Sequence, residues 1–252
     1  MFPAAPAATD ATANPQTPGR RMDPMRKVAL AGGITYLVTF LASMPQLKLF
    51  ADLIDDPTGY IGSRRGNSQV LWGSWLEVVT AVACVGTAVA LYPVTRRVSR
   101  TAAIGFVTSR VVEATLILVG AVAVLSVLTL QGDFAGATGA QADAVGVTGE
   151  ALVAVRQWTF LLGPGLVPGI NALFLATALY RGRLVPRLIP TIGLIGAPII
   201  LVSATATIFG GWDQSSIAGG LCALPIAVWE LSLGVYLTVK GFTGTPAAQR
   251  RG

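Results

Sequence analysis

The chain has 252 residues, 53% of them hydrophobic and 12% charged, with a mean hydropathy of +0.65 and a formal net charge of +6. Soluble chains carry about 25% charged residues, so a soluble fold of this composition would run out of polar groups to face water. The sequence has no histidine, which excludes histidine-ligated metal and haem centres and His-dependent catalytic triads.

Residues 1–20 (MFPAAPAATDATANPQTPGR) lack the apolar core of a signal peptide and are expected to form a disordered tail. Six apolar runs follow, at about 28–46, 70–92, 102–130, 151–180, 188–209 and 218–239. Each is long enough to cross a hydrocarbon core of about 30 Å at about 1.5 Å per residue. The expected fold is an all-α, polytopic six-helix membrane bundle over residues 21–242, with a second short tail at 243–252. The first long connection, 47–69, contains DDPTGYIGSRRGNS and reads as a polar, turn-rich loop. The second, 131–150, is Gly/Ala-rich and weakly acidic and reads as mobile. No connection is long enough to hold a soluble catalytic domain. Cys84 and Cys222 each lie inside an apolar run without a CxxC or Cys/His partner, so they read as buried apolar thiols rather than a disulfide or metal pair.

Placing the charges on these spans sets an orientation. With the N-terminus inside, inner segments hold 13 of the positive residues, among them Arg26, Lys27, Arg96, Arg97, Arg100, Arg181, Arg183, Arg187 and Lys240. The outer loops hold three, Lys48, Arg64 and Arg65, beside Asp52, Asp55 and Asp56. The positive-inside rule then puts both termini in the cytoplasm of a cell whose plasma membrane holds the protein. It also accounts for the basic charge through anionic membrane lipid, without nucleic acid. Trp72, Trp75, Trp158 and Trp212 fall at outer span ends and Tyr92, Tyr180 and Tyr236 near inner ends, the positions of interfacial anchors. Trp229 falls mid-span beside Glu230.

Five ionisable residues lie within spans: Glu77 in the second, Arg110 and Glu113 in the third, Arg156 in the fourth and Glu230 in the sixth. Such residues are functional hypotheses by default. In the third span, each Leu, Ile, Val or Phe favours insertion by about 0.3–0.6 kcal/mol, while Arg110 and Glu113 together oppose it by roughly 5–7 kcal/mol. Its 15 such apolar residues leave the two sides nearly balanced, so the charges are expected to face other helices. At about 1.5 Å per residue, Glu77 and Arg156 lie about 10 and 8 Å below the outer surface and form an expected structural ion pair. Arg110, Glu113 and Glu230 lie about 12, 16 and 15 Å from the inner surface, which predicts one cluster near the midplane. Three carboxylates against two guanidiniums leave one surplus carboxyl, Glu113 or Glu230, expected to be neutral or to exchange a proton.

Residues 163–169 of the fourth span read GPGLVPG and are followed by Asn171. Pro164 and Pro168 each remove an N–H and crowd a preceding carbonyl, so this helix is expected to kink or unwind. Freed carbonyls at that depth could serve an ion, as in discontinuous transporter helices. The simpler alternative is a proline kink with Gly165 and Gly169 (GxxxG) in close helix contact. The third and sixth spans would correspond in an inverted repeat of three spans, each with a mid-depth Glu.

Three stretches, SRVVEATLIL (109–118), LYRGRLVPRLIP (179–190) and VWELSLGVYLTVKGF (228–242), resemble a bacterial family of six-span membrane proteins, the domain-of-unknown-function family numbered 4386. The resemblance covers about residues 24–242 and implies a six-helix integral membrane protein without an established activity. Arg110 and Glu113 match its Arg-x-x-Glu, Arg181 and Pro186–Arg187 its loop after span 4, and Glu230 its acidic position in span 6. Glu77 stands where the family often has an acidic residue. The Pro/Ala-rich extension and GPGLVPG depart from the family pattern.

The leading functional expectation is proton- or cation-coupled handling of a small solute, with Glu113, Glu230, Arg110, Asn171 and Trp229 as candidate binding residues. The alternative is a non-catalytic scaffold or accessory subunit, alone, as a homodimer or with a membrane partner, whose intramembrane charges only assemble it. An intramembrane enzyme is disfavoured: Lys27, Lys48 and Lys240 lie outside span interiors and no two Asp lie within spans. No cofactor or metal is expected, because the arginines compete for the carboxylates.

Overall fold

The computed structural model describes residues 22–63 and 67–243. The two expected tails, and Arg20, Arg21, Arg64, Arg65, Arg250 and Arg251 of the charge distribution, lie outside the described residues. Among those residues there is no strand. The helices are α1 (Pro24–Ser43), α2 (Gln46–Leu49), α3 (Ala51–Asp55), α4 (Pro57–Gly62), α5 (Ser68–Val98), α6 (Arg100–Asp133), α7 (Ala140–Leu162), α8 (Val167–Gly182), α9 (Leu188–Ile208) and α10 (Ile217–Val239).

Six helical segments are long and apolar enough to cross a membrane: Pro24–Leu49, Ser68–Val98, Arg100–Asp133, Ala140–Gly182, Leu188–Ile208 and Ile217–Val239. Their ends carry local signals. Asp23 Oδ1 accepts from Met25 N at 3.3 Å, with Pro24 in the first turn of α1, where the missing N–H costs nothing. A single residue, Ser99, separates α5 from α6; its backbone is extended and its Oγ accepts from Ala102 N at 3.2 Å.

The first long connection is more ordered than its polar composition suggests. Residues 47–69 hold most of α2 and all of α3 and α4 instead of an open loop. Asp56 caps α4 by accepting from Gly59 N at 2.9 Å, and Pro57 opens it. Phe50, Leu53 and Tyr60 drop into an apolar cluster with Val124, Val127 and Val153. That burial overrides the turn residues. The second connection is likewise shorter than expected: α7 starts at Ala140, so much of 131–150 is helix. This start is docked, because α4 packs on α7 and Thr58 Oγ1 donates to Glu150 Oε1 at 3.0 Å. Gln131 Nε2 donates to the carbonyls of Tyr60 and Ser63, at 3.0 and 2.7 Å.

Neighbouring helices pack as a ring, α1 on α5, α5 on α6, α6 on α7 and α8, α8 on α9, α9 on α10, and α10 back on α1. The fourth span breaks at Gly163–Leu166. Gly165 N donates to Phe160 O and Val167 N to Gly163 O, which ends one helix and starts the next. The two glycines of GxxxG then serve different ends. A β-carbon on Gly169 would lie 2.8 Å from Ile200 of α9, whereas one on Gly165 would lie 2.5 Å from the chain's own Leu161 carbonyl. Only Gly169 makes the expected helix contact.

One apolar core, including Leu91, Phe106, Leu175, Leu179 and Leu233, fills the half of the ring nearer the described chain ends. The Phe50–Val153 cluster fills the other half. Between them lies a smaller apolar cluster of Ala81, Cys84, Ala114 and Ile117. Both described ends fall on one side, since Arg26 donates to Leu237 O and Thr238 O of α10 at 3.0 and 2.6 Å.

Candidate functional site

Arg110 occupies the interior of the ring with no accessible surface. Its Nη1 donates to Glu113 Oε2 at 2.9 Å, one turn along α6, and its Nη2 to Glu230 Oε1 of α10 at 2.7 Å. Because α6 and α10 are not packed side by side, the guanidinium is a strut across the bundle. Asn171 Nδ2, from the first turns of α8, donates to the same Glu113 Oε2 at 2.6 Å. Glu113 thus receives two donors on one oxygen, while Glu230 is held by Arg110 alone among the described residues.

The guanidinium is also flanked by rings, 4.8 Å from the Tyr36 centroid and 5.8 Å from that of Phe106. Such faces offset part of the cost of removing a cation from water. Nη1 also approaches Cys84 Sγ at 3.6 Å. Cys84 is therefore a weak acceptor beside a charge, not a purely apolar thiol; Cys222 is only partly buried, and both are free. Nothing in the spacing of Tyr36 or Cys84 marked them for this role. Only their mid-span positions could have done so.

Trp229, fully buried, joins the cluster only indirectly, edge-on to Tyr36 with ring centroids 6.3 Å apart. Its indole fits against α9 because Gly193 has no side chain: a β-carbon there would lie 2.7 Å from indole ring atoms. The sequence-level candidates therefore separate. Arg110, Glu113, Glu230 and Asn171 are joined by hydrogen bonds, and Trp229 stands behind Tyr36, one ring removed from them.

The second expected pair is also in contact, nearer the other surface. Arg156 Nη2 of α7 lies 2.6 Å from Glu77 Oε1 of α5, and the rings of Phe50 and Phe160 lie 5.2 and 4.9 Å from its guanidinium carbon. Nearby, Gln46 Nε2 bonds Thr80 Oγ1 at 3.0 Å. The charges of this pair balance one to one. The surplus carboxylate of the sequence therefore belongs to the Arg110 cluster, where two acids share one guanidinium. Within that cluster the Glu230 side chain is 14% accessible, against 5% for Glu113 and 0% for Arg110. Among the described residues, no group of three or more Cys, Asp or Glu side chains is placed to hold a metal ion.

A ring of six apolar helices with paired charges inside it defines a multi-pass membrane bundle. Residues 31–241 match the model of a domain of unknown function, DUF4386, and the chain belongs to that family. No curated protein and no solved structure matches it.

Proposed function

We propose that the protein handles a proton or small cation, coupled to a small solute, at the Glu230–Arg110–Glu113 cluster, and that it is not an enzyme. The observation carrying this reading is the combination of unequal charge and unequal access: two carboxylates share Arg110, and Glu230 is the more open one. A purely structural pair needs one acid per base, as Glu77 and Arg156 have. Glu113 is fixed by Arg110 and Asn171, so Glu230 is the group free to exchange its partner. The break between α7 and α8 adds support, because Asn171 lies just beyond it and reaches Glu113.

In this reading both termini are cytoplasmic and the membrane is the plasma membrane. The six crossings bring the described ends to one side, where the exposed arginines also lie. Infrared difference spectra of the protein in lipid, between about pH 5 and 9, test the proposal without knowledge of the solute. A protonated-carboxyl band that changes with bulk pH and vanishes in Glu230→Gln is the expected result. Spectra of wild type and Glu230→Gln with the same carboxyl changes overturn it.

A second reading, a scaffold or accessory subunit, draws on the same struts. Arg110 ties α6 to α10 and Arg156 ties α7 to α5, which is what assembly alone would need.

A further inference from the structure

On the side where α1 begins and α10 ends, two short connections are pinned together. Gly182, the last residue of α8, touches Val98 at the end of α5 so closely that a β-carbon would lie 2.7 Å from Val98 Cγ2. This contact brings Arg96, Arg97 and Arg100 of one connection beside Arg181, Arg183 and Arg187 of the other. All six side chains are exposed, and none lies within ion-pair distance of a carboxylate among the described residues. Neither connection contains an acidic residue. The patch is held firmly: Leu184 and Val185 are buried beneath it, and Thr243 N donates to Leu184 O at 2.9 Å. Arg187 lies over the ring of Tyr180 at 5.2 Å and Arg96 over that of Tyr92 at 5.6 Å, which sets two of the cations at the depth of interfacial tyrosines.

Arg183 sharpens the argument. Its φ is +51°, the only positive φ on a described residue other than glycine. Glycine is the usual residue at this helix-ending position, and a left-handed arginine is strained. The neighbouring glycine cannot explain the choice, since Gly182 is required by its contact with Val98. Nor does the guanidinium repay the strain through a hydrogen bond within the described protein. An outlier retained without a local benefit points to a role for its side chain.

We propose that these six arginines form a site for phosphate groups, supplied by the headgroups of anionic phospholipid at this membrane surface. Their number and uniform sign suit a headgroup with two phosphates over one with a single phosphate. The site is separate from the Arg110 cluster and does not depend on the function proposed for it.

The test uses the full-length protein in detergent, with bound lipid counted by native mass spectrometry after addition of cardiolipin, phosphatidylglycerol or phosphatidylcholine. Inorganic phosphate and pyrophosphate form separate arms. Wild type is expected to retain cardiolipin most and phosphatidylcholine least. The triple variant Arg181→Gln/Arg183→Gln/Arg187→Gln is expected to bind cardiolipin on the order of 100-fold more weakly. Arg183→Gly, which relieves the backbone, is expected to melt at least as high as wild type and yet bind roughly fivefold more weakly. Equal cardiolipin retention by Arg183→Gly and wild type would show a merely tolerated arginine and overturn the proposal. Arginine-dependent binding of phosphate or pyrophosphate without any lipid preference would overturn the lipid source.

Discussion

The two buried ion-pair systems differ in charge balance, and that difference dictates how they answer the same substitution. Glu77→Gln leaves Arg156 with no carboxylate partner, walled by Phe50 and Phe160. Stranding a buried charge in this way costs about 3–5 kcal/mol. Glu113→Gln and Glu230→Gln have a different result, because each leaves Arg110 with the other carboxylate and brings the cluster from a surplus negative charge to neutrality. What each loses is one charged hydrogen bond replaced by a neutral one, worth about 1–1.5 kcal/mol. The double substitution removes both acids and strands Arg110, at about 3–5 kcal/mol. The sum of the singles falls short of the double, so the cycle carries a coupling of about 1–2 kcal/mol.

Thermal melting of the purified protein in one detergent at fixed pH reads this directly. For a chain of this size 1 kcal/mol corresponds to about 2–4 °C, so Glu77→Gln and the double variant are expected to fall roughly 6–20 °C and each single only a few degrees. If Glu113→Gln and Glu230→Gln each fall as far as the double, Arg110 requires both carboxylates. The surplus charge is then structural, and the case for a mobile partner at Glu230 is lost.

Other substitutions probe the surroundings. Asn171→Leu removes a donor from Glu113 Oε2 and is expected to cost about 1.5–3 kcal/mol, measured by the same melting curve; a change within error would place that bond outside the folded ensemble. Gly193→Leu puts a side chain where the Trp229 indole lies, so overpacking of about 1–3 kcal/mol and a shifted tryptophan emission spectrum are expected. Arg26→Ala releases the carbonyls of Leu237, Thr238 and Val239. Hydrogen exchange at the end of α10 is expected to rise there and remain unchanged around Arg110.

The sequence disclosed the spans and the intramembrane pairs for the same reason: a bilayer makes both expensive to disguise. A charge at mid-depth has few solutions, and counting residues from each surface already matched Glu77 with Arg156 and Arg110 with two acids. The two long connections were less legible. DDPTGYIGSRRGNS carries every mark of a turn, yet Phe50 and Leu53 before it and Tyr60 within it supply an apolar face that only the assembled bundle can use. Local propensity lost to tertiary burial there, and the same docking drew the start of α7 back to Ala140. Tyr36 and Cys84 were invisible for a different reason. Their distance from Arg110 depends on how α1 and α5 are rotated about their axes, and residues that pack all round an apolar helix give no periodicity from which to read that rotation. Arg110 itself also reads differently in three dimensions. On the helix it is the i, i+3 neighbour of Glu113, which would make it a local pair. In the bundle its second nitrogen reaches α10, a helix that does not pack on its own. Rotating α6 or α10 by even a fraction of a turn would break that bond while leaving the local pair intact. The long bond is therefore the one sensitive to helix movement, and its partner, Glu230, is the more accessible acid. Sensitivity to movement and the greater exposure thus meet on one carboxyl, the combination on which the coupling proposed for Glu230 rests.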